Sequence, residues 1–136
     1  MRIIQQGSGP FNVAATPPER VRAIFDSDTL AGQVIYITSS GHVDLAQGNG
    51  RPQAFAVGIA TQNVAAGQFG EYIPVGPITV DTWSLTPGSV YYLSPSSPGG
   101  MTTTYPSTIG QFVVVLGTAS TPNQLSLSIH WMLEHS

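Results

Sequence analysis

The C-terminal segment QLSLSIHWML alternates between apolar and polar residues with a period of two. In an extended chain one side would carry Leu125, Leu127, Ile129 and Trp131, and the other Gln124, Ser126, Ser128 and His130. A period of two is the spacing of a β-strand that buries one face, and it does not fit a helix. The segment therefore predicts a long strand and makes an all-β fold the first hypothesis.

Shorter runs of β-branched and aromatic residues recur along the chain, separated by Gly and Pro turns. They are GQVIYITSSGHVDLA, QAFAVGIAT, GEYIPVGPITV, GSVYYLS, GMTTTYP and GQFVVVLGTAS. The first turns at 39–41 and predicts a hairpin. Pro74 and Pro77 fall inside one run, which predicts an edge, bulged or broken strand. Eight or nine short strands of this kind indicate a small β-barrel or β-sandwich.

One segment, TPPERVRAIFDSDTLAG, carries a helix signal. Thr16 is placed to cap, the two prolines suit a first turn, and Val21, Ile24 and Phe25 share a helical face. We expect at most one short helix in the chain, and this is where it would lie.

The chain is expected to have two parts. Residues 1–18, which are punctuated by Gly and Pro, predict an extended N-terminal arm, and residues 19–136 predict a single β domain. An arm of this length reaches roughly 50 Å when extended. The segment RIIQQ within it has the composition to add a strand to a neighbouring sheet.

The β domain contains an internal similarity between residues 31–63 and 87–123. AGQVIYITSSG matches PGSVYYLSPSS, and AVGIATQN resembles VLGTASTPN, at offsets of 56 and 59 positions. Two interpretations stay open: a duplicated β unit that forms two related halves, or the general likeness of short strands. In either case we expect the strands to bury Val34, Tyr36, Val57, Val90, Tyr92 and Val114.

Charge is scarce. Asp, Glu, Lys and Arg make up 8% of the residues, the only basic residues are four arginines, and the formal net charge is −3. So few cations argue against a nucleic-acid partner, while a nearly neutral surface favours association with other proteins. The chain has no Cys and no apolar run long enough for a secretory signal or a membrane span. We expect synthesis in the cytoplasm of the cell that makes the protein, and no membrane partner.

Two short motifs raise the question of chemistry. SSGHVD brings Ser40, His42 and Asp44 close in sequence, and His42 and Asp44 would point the same way on a strand. HWMLEH places His130 and Glu134 on one strand face, but neither segment matches a motif with a known mechanism. We expect no catalytic residues, no metal site and no cofactor, and therefore no enzyme.

The aromatic residues near the middle of the chain suit either a core, a subunit interface or a sugar-binding platform. They are Trp83, Tyr91, Tyr92 and Tyr105. Strand alternation predicts Tyr92 in the core and Tyr91 facing outward, with Trp83 closing one end of the barrel. The choice between interface and sugar platform stays open.

The succession WSLTPGSVYYLS, GGMTTTYP and GQFVVVLGTA, from Trp83 to Ala119, resembles a module of tailed-bacteriophage virion proteins. The module is that of head decoration (cement) proteins and of fibre or tail-associated β domains. The segment AGQVIYITSSGHVDLA, followed by AVGIA, is more loosely similar to the start of small capsid decoration proteins.

The resemblance implies a structural protein of the capsid surface that stabilises the head by bridging major capsid proteins. Its partners would be the major capsid protein and its own copies, in a homotrimer. The alternative is a fibre or tail-associated domain that binds host glycan or protein. Capsid or subunit contacts are expected at Ile3, Ile4, Phe11, Arg20, Arg22, Trp83, Tyr91 and Tyr105.

Overall fold

The structure is a computed structural model that describes residues 19–134. Its ten strands are β1 Val21–Ile24, β2 Val34–Ile37, β3 Val43–Leu45, β4 Ala56–Ala60, β5 Phe69–Ile73, β6 Val75–Thr79, β7 Val90–Leu93, β8 Met101–Thr102, β9 Phe112–Thr121 and β10 Gln124–Glu134. The described residues contain no helix, so the predicted all-β class is confirmed. The predicted arm over 1–18 lies outside the described residues.

The strands form two antiparallel sheets of five that pack as a sandwich. The first sheet has the order β1-β5-β4-β2-β3, and the second has the order β6-β10-β9-β7-β8. The hairpin predicted around 39–41 is present, with β2 and β3 paired in antiparallel register. The main core between the sheets is apolar and includes Ile59, Leu93, Leu116 and Leu125, all fully buried.

The predicted short helix is wrong where it overlaps the described residues. Those residues form β1, in which Val21 pairs with Tyr72 of β5. Val21 and Ala23 pack against a buried cluster while Arg22 between them is exposed, so the segment follows a period of two. Tertiary pairing with β5 therefore overrides the apparent helical spacing.

Pro74 interrupts the run that the sequence predicted to be broken or at an edge. The chain leaves the first sheet at Ile73, the end of β5, and enters the second at Val75, the start of β6. Pro77 lies in β6, an edge strand, where a residue without an amide proton is tolerated. This junction joins the two sheets with a single intervening residue.

The two sheets have the same topology and the same irregularity. Strands β1 to β5 and β6 to β10 occupy corresponding positions in the two orders. A register shift follows Ile35 opposite Gly58 in the first sheet, and an equivalent shift follows Tyr91 opposite Gly117 in the second. The tight turn before the second strand of each half also repeats, with Gly32 at φ 94° and Gly88 at φ 85°. Whether the likeness reflects a duplication stays a prediction.

Equivalent residues of the two sheets nevertheless point into different surroundings. We define the front face of each sheet by residues in equivalent register: Ile35, Ala60 and Tyr72 in the first sheet, and Tyr91, Ala119 and Leu125 in the second. The front face of the first sheet packs in a small outer cluster with Phe25, Val43 and Val64. The front face of the second sheet packs in the main core against the back face of the first, which carries Val34, Ile59 and Ile73.

This front-to-back packing leaves the back face of the second sheet uncovered. Val90 is 40% exposed, and Thr118 and Ser126 are exposed as well. The expected burial of Val90 and Tyr92 is therefore wrong, and so is the expected orientation of the tyrosine pair. Tyr91 is 7% exposed and belongs to the core, while Tyr92 is half-buried on the back face.

Candidate interaction surfaces

The back face of the second sheet is an exposed surface without charge. Between Asp81 and Glu134 the sequence contains no Asp, Glu, Lys or Arg, and this stretch supplies four of the five strands of the sheet. The exposed side chains of the face are hydroxyls and small apolar groups around Val90 and Thr118. Depletion of charge is characteristic of the cores of protein interfaces.

Tyr105 lies beside this face. Its ring meets the ring of Tyr92 edge-on, with the centroids 5.6 Å apart, and Tyr105 is 46% exposed. An aromatic pair of this kind adds about 1 kcal/mol to the burial of its area. The pair therefore presents an ordered aromatic edge on the same side of the domain as Val90.

A second surface is a groove at the junction of the two sheets, which we call the Trp131 groove. Its volume is about 320 Å³, and its lining is mainly apolar: Ala56, Val57, Pro74, Val75, Ser128, Ile129 and Trp131. Val75 and Trp131 are each 56% exposed. Large exposed apolar groups that adjoin one another mark interaction sites more often than isolated ones do.

Trp131 is held in place although more than half of its surface is exposed. Its indole Nε1–H donates a hydrogen bond to the carbonyl oxygen of Ala56 over 2.8 Å. The ring also packs against Phe55 at a centroid distance of 5.2 Å. Phe55 in turn meets the buried ring of Phe112 edge-on. A tryptophan fixed in this way gives up little conformational entropy on contact with a partner, as in interface hot spots.

Arg51 covers the aromatic cluster that supports Trp131. Its guanidinium carbon lies 5.9 Å from the ring centroid of Phe55 and 5.4 Å from that of Phe112. Both distances fall within the range of cation–π attraction. The loop before β4 is thereby tied to the start of β9, which keeps Phe55 under the indole.

The sequence did not predict Trp131 as a surface residue. Strict alternation along β10 placed it with Leu125 and Leu127, which are buried. Trp131 does stay on the core-facing side of β10, because it pairs with Val114, which is buried in the main core. Its indole reaches the first sheet at Ala56, but 56% of its surface is left exposed. Alternation therefore predicted the side of the strand correctly and did not predict how much of the side chain is covered.

Trp83 and Tyr91 line a cleft of about 780 Å³ at another end of the sandwich, which we call the Trp83 cleft. The indole of Trp83 lies against Gly32, where an added Cβ would come within 2.5 Å of the indole nitrogen. The hydroxyl of Tyr91 accepts a hydrogen bond from the backbone N–H of Thr86 over 2.8 Å. The structure thus brings together two of the residues predicted as interface or sugar-binding groups.

Carboxamides complete the Trp83 cleft. Asn63 accepts a hydrogen bond from the N–H of Ala31, and Gln33 accepts one from the N–H of Leu30. Both contacts use the carboxamide oxygens, so the amino groups have no hydrogen-bond partner among residues 19–134. A half-buried indole beside neutral donors suits a neutral, hydroxyl-bearing ligand.

The two arginines predicted to contact the capsid or another subunit have partners within the domain. Arg20 lies 3.7 Å from the carboxylate of Glu71, and both side chains are largely exposed. The guanidinium of Arg22 stacks on the ring of Phe69 at 4.1 Å. The structure therefore places both arginines on the exposed side of the β1–β5 pair. Ile3, Ile4 and Phe11 lie outside the described residues.

The SSGHVD motif does not form a catalytic relay in the described residues. Nδ1 of His42 lies 2.8 Å from the carboxylate of Asp26, and Asp44 accepts a hydrogen bond from the N–H of Leu45. The hydroxyl of Ser40 lies 2.9 Å from that of Thr38. Partial burial and the carboxylates of Asp44 and Asp26 raise the pKa of the neighbouring Tyr36 hydroxyl.

The HWMLEH motif is equally without a cluster of ligands in the part of the chain described. Nε2 of His130 lies 3.4 Å from the hydroxyl of Ser128, and His135 falls outside the described range. No group of three or more His, Asp or Glu side chains suited to a metal ion occurs among residues 19–134. A helix long and apolar enough to cross a membrane is also not found there.

Comparison of the sequence with known proteins does not assign a function to any of these surfaces. No family model matches the sequence, and a search of curated proteins returns no significant match.

Proposed function

We propose that this chain is a structural virion protein that decorates a tailed-phage head and stabilises it by bridging major capsid proteins. The observation that carries the proposal is the neutral, uncovered back face of the second sheet. A small rigid domain with such a face suits a contact that repeats many times on a lattice and uses shape and neutral hydrogen bonds. The sequence resemblance supports the same assignment, with an oligomer, by expectation a trimer, as the bound form.

A binding assay with heads tests this proposal. The purified full-length chain should co-sediment with expanded, DNA-free heads of the phage that encodes it. Val90→Asp should reduce the bound fraction by at least about tenfold, because it buries a carboxylate in a neutral contact. Leu30→Asp is the matched control, since Leu30 is 61% exposed at the Trp83 cleft and away from the back face.

Two results would contradict the assignment to the head: a chain that stays in the supernatant when heads are sedimented, and a chain that is found only in purified tails. A third result, equal loss of binding in Val90→Asp and Leu30→Asp, would leave head binding in place and would contradict the back face as the interface.

The Trp83 cleft supports a second candidate, a fibre or tail-associated domain that binds host glycan. The cleft combines an indole with carboxamide donors and one acidic residue, Asp81, a composition suited to a neutral sugar. In a glycan array this candidate predicts binding by the wild-type chain and about a tenfold loss in Trp83→Ala. Unfolding temperatures of both proteins control for folding, and an array without signal above background would rule the candidate out.

A further inference from the structure

Strand β10 has an unpaired edge over its second half. Its pairing with β6 runs from Gln124 to Ser128, where β6 begins at Val75. The other edge of β10 stays paired with β9 as far as Glu134. Among the described residues no strand lies on the β6 side of β10 after Ser128. Unpaired backbone N–H and C=O groups at such an edge are a template for strand addition.

The Trp131 groove lies along this unpaired edge. On one side are Ile129 and Trp131 of β10, and on the other are the first residues of β4, Ala56 and Val57. No strand of the described residues pairs with β4 on its β5 side at these residues, because the β4–β5 pairing begins at Ile59, and the carbonyl oxygen of Ala56 accepts the indole N–H of Trp131. The groove therefore combines the open edge of β10 with an apolar lining, which is the chemistry that receives an extended apolar segment.

The described part of the chain starts close to this groove, at the point where the N-terminal segment joins it. The β1–β5 register places Val21 opposite Tyr72, two residues before the groove residue Pro74. Eighteen residues precede the described part of the chain, and they contain RIIQQ at positions 2–6. Ile3 and Ile4 lie between Arg2 and two glutamines, and this pair of β-branched side chains matches an apolar groove bounded by a strand edge.

We propose that residues 2–6 of a second copy of this chain add as a strand to the β10 edge and fill the Trp131 groove. Each copy then offers one groove and one arm, so the exchange of arms joins copies in a dimer or, where the rotation between copies closes, in a larger ring. Isoleucine at position 3 or 4, but not both, faces the indole of Trp131, because neighbouring side chains of a strand point to opposite sides. This association is a property of the free protein and requires no capsid.

A second copy is chosen as the occupant over the same chain because only 8% of the residues are charged, and a nearly neutral surface favours self-association. The arm of the same chain is the competing occupant, since the described residues start close to their own groove.

Because the chain contains no Cys, single cysteines can be placed without background. One preparation carries Ile3→Cys or Ile4→Cys, and the other carries Val75→Cys. The two are mixed and incubated so that they exchange subunits, and a short thiol-specific cross-linker is then added. We expect a covalent dimer between the two preparations, formed several-fold more by one arm position than by its neighbour. Leu30→Cys replaces Val75→Cys as the control, since Leu30 is similarly exposed but lies at the Trp83 cleft.

The alternatives give different products. Cross-linking only within a chain that carries both Ile4→Cys and Val75→Cys would show that the arm covers its own groove. Equal yields from both arm positions, or from Leu30→Cys, would show that no strand forms. Either result, or a monomeric wild-type chain by light scattering, would overturn the proposal. The assay contains no heads, so its outcome is separate from that of the head-binding test.

Discussion

Ile59→Asp will destabilise the domain by about 4 kcal/mol or more, whereas Thr118→Asp will leave its stability within about 0.5 kcal/mol of the wild type. The two positions are equivalent in the two sheets. Each directly follows a glycine, Gly58 or Gly117, that occupies the same register position in its sheet. Ile59 is fully buried between the sheets, while Thr118 is exposed on the back face of the second sheet. Burying an unpaired carboxylate at Ile59 costs about 4 kcal/mol or more, a large part of the stability of a small domain.

Urea unfolding followed by circular dichroism measures both variants. Ile59→Asn, which introduces no charge, is the companion variant and should be destabilised less than Ile59→Asp at neutral pH. Comparable destabilisation by Ile59→Asp and Thr118→Asp would mean that the sheets pack through equivalent faces, contrary to the front-to-back arrangement.

Gly117→Ala will destabilise the domain by about 3 kcal/mol, while Gly50→Ala will have almost no effect. A Cβ on Gly117 would overlap the carbonyl oxygen of Ser126 on the paired strand β10. The obstructing atom belongs to the backbone, so it cannot move aside by a change of rotamer. Nothing lies within 4 Å of the Cβ position of Gly50, which makes it the matched control.

The same substitution at the equivalent glycine extends this prediction. A Cβ on Gly58 would lie 2.5 Å from Cδ2 of Tyr72 and 2.7 Å from the carbonyl oxygen of Ile73. We expect Gly58→Ala to be destabilising as well, because one of these atoms is again backbone. Thermal unfolding of the three alanine variants is the measurement, and a neutral Gly117→Ala would contradict the close strand approach at the register shift.

Much of the strand content was predictable because its causes are local. The β2–β3 hairpin follows from two short apolar runs separated by Ser and Gly, and the break at Pro74 follows from the missing amide proton. The segment Val21–Ile24 was mistaken for a helix because its pairing partner, Tyr72 in β5, lies about fifty positions away. The residues of β1 themselves carry no local signal of pairing with a strand so far along the chain.

The direction in which side chains face was less predictable than the strands. The alternation in VYYL is compatible with either face inward, and only the packing of the sheets decides that Tyr91 is buried and Tyr92 is not. Along β10 the alternation places Trp131 on the core-facing side, but it does not show that more than half of this side chain is left exposed. A period of two fixes which residues share a side, but it does not specify which side is inside.

The candidate surfaces also differ in whether they could be predicted from a local stretch of sequence or depend on the packing of distant segments. The lack of charge around Val90 is visible directly in the sequence, and two residues that the sequence indicated as contact candidates, Trp83 and Tyr91, line one cleft in the structure. The Trp131 groove was missed because its parts come from three distant segments, near Phe55, Pro74 and Trp131. A surface assembled from such segments exists only after folding.

Front-to-back packing gives the sandwich a polarity that a face-to-face pair of sheets lacks. One end of the stack is closed by Phe25 and Val64 over the front of the first sheet, and the other end is an open back face. An additional unit of the same design could be appended at the open end by repeating the existing interface, as in solenoid repeats. What distinguishes the open face from the packed one is the side chains, Thr118 and Ser126 in place of Ile59 and Ile73, and not the geometry of the backbone.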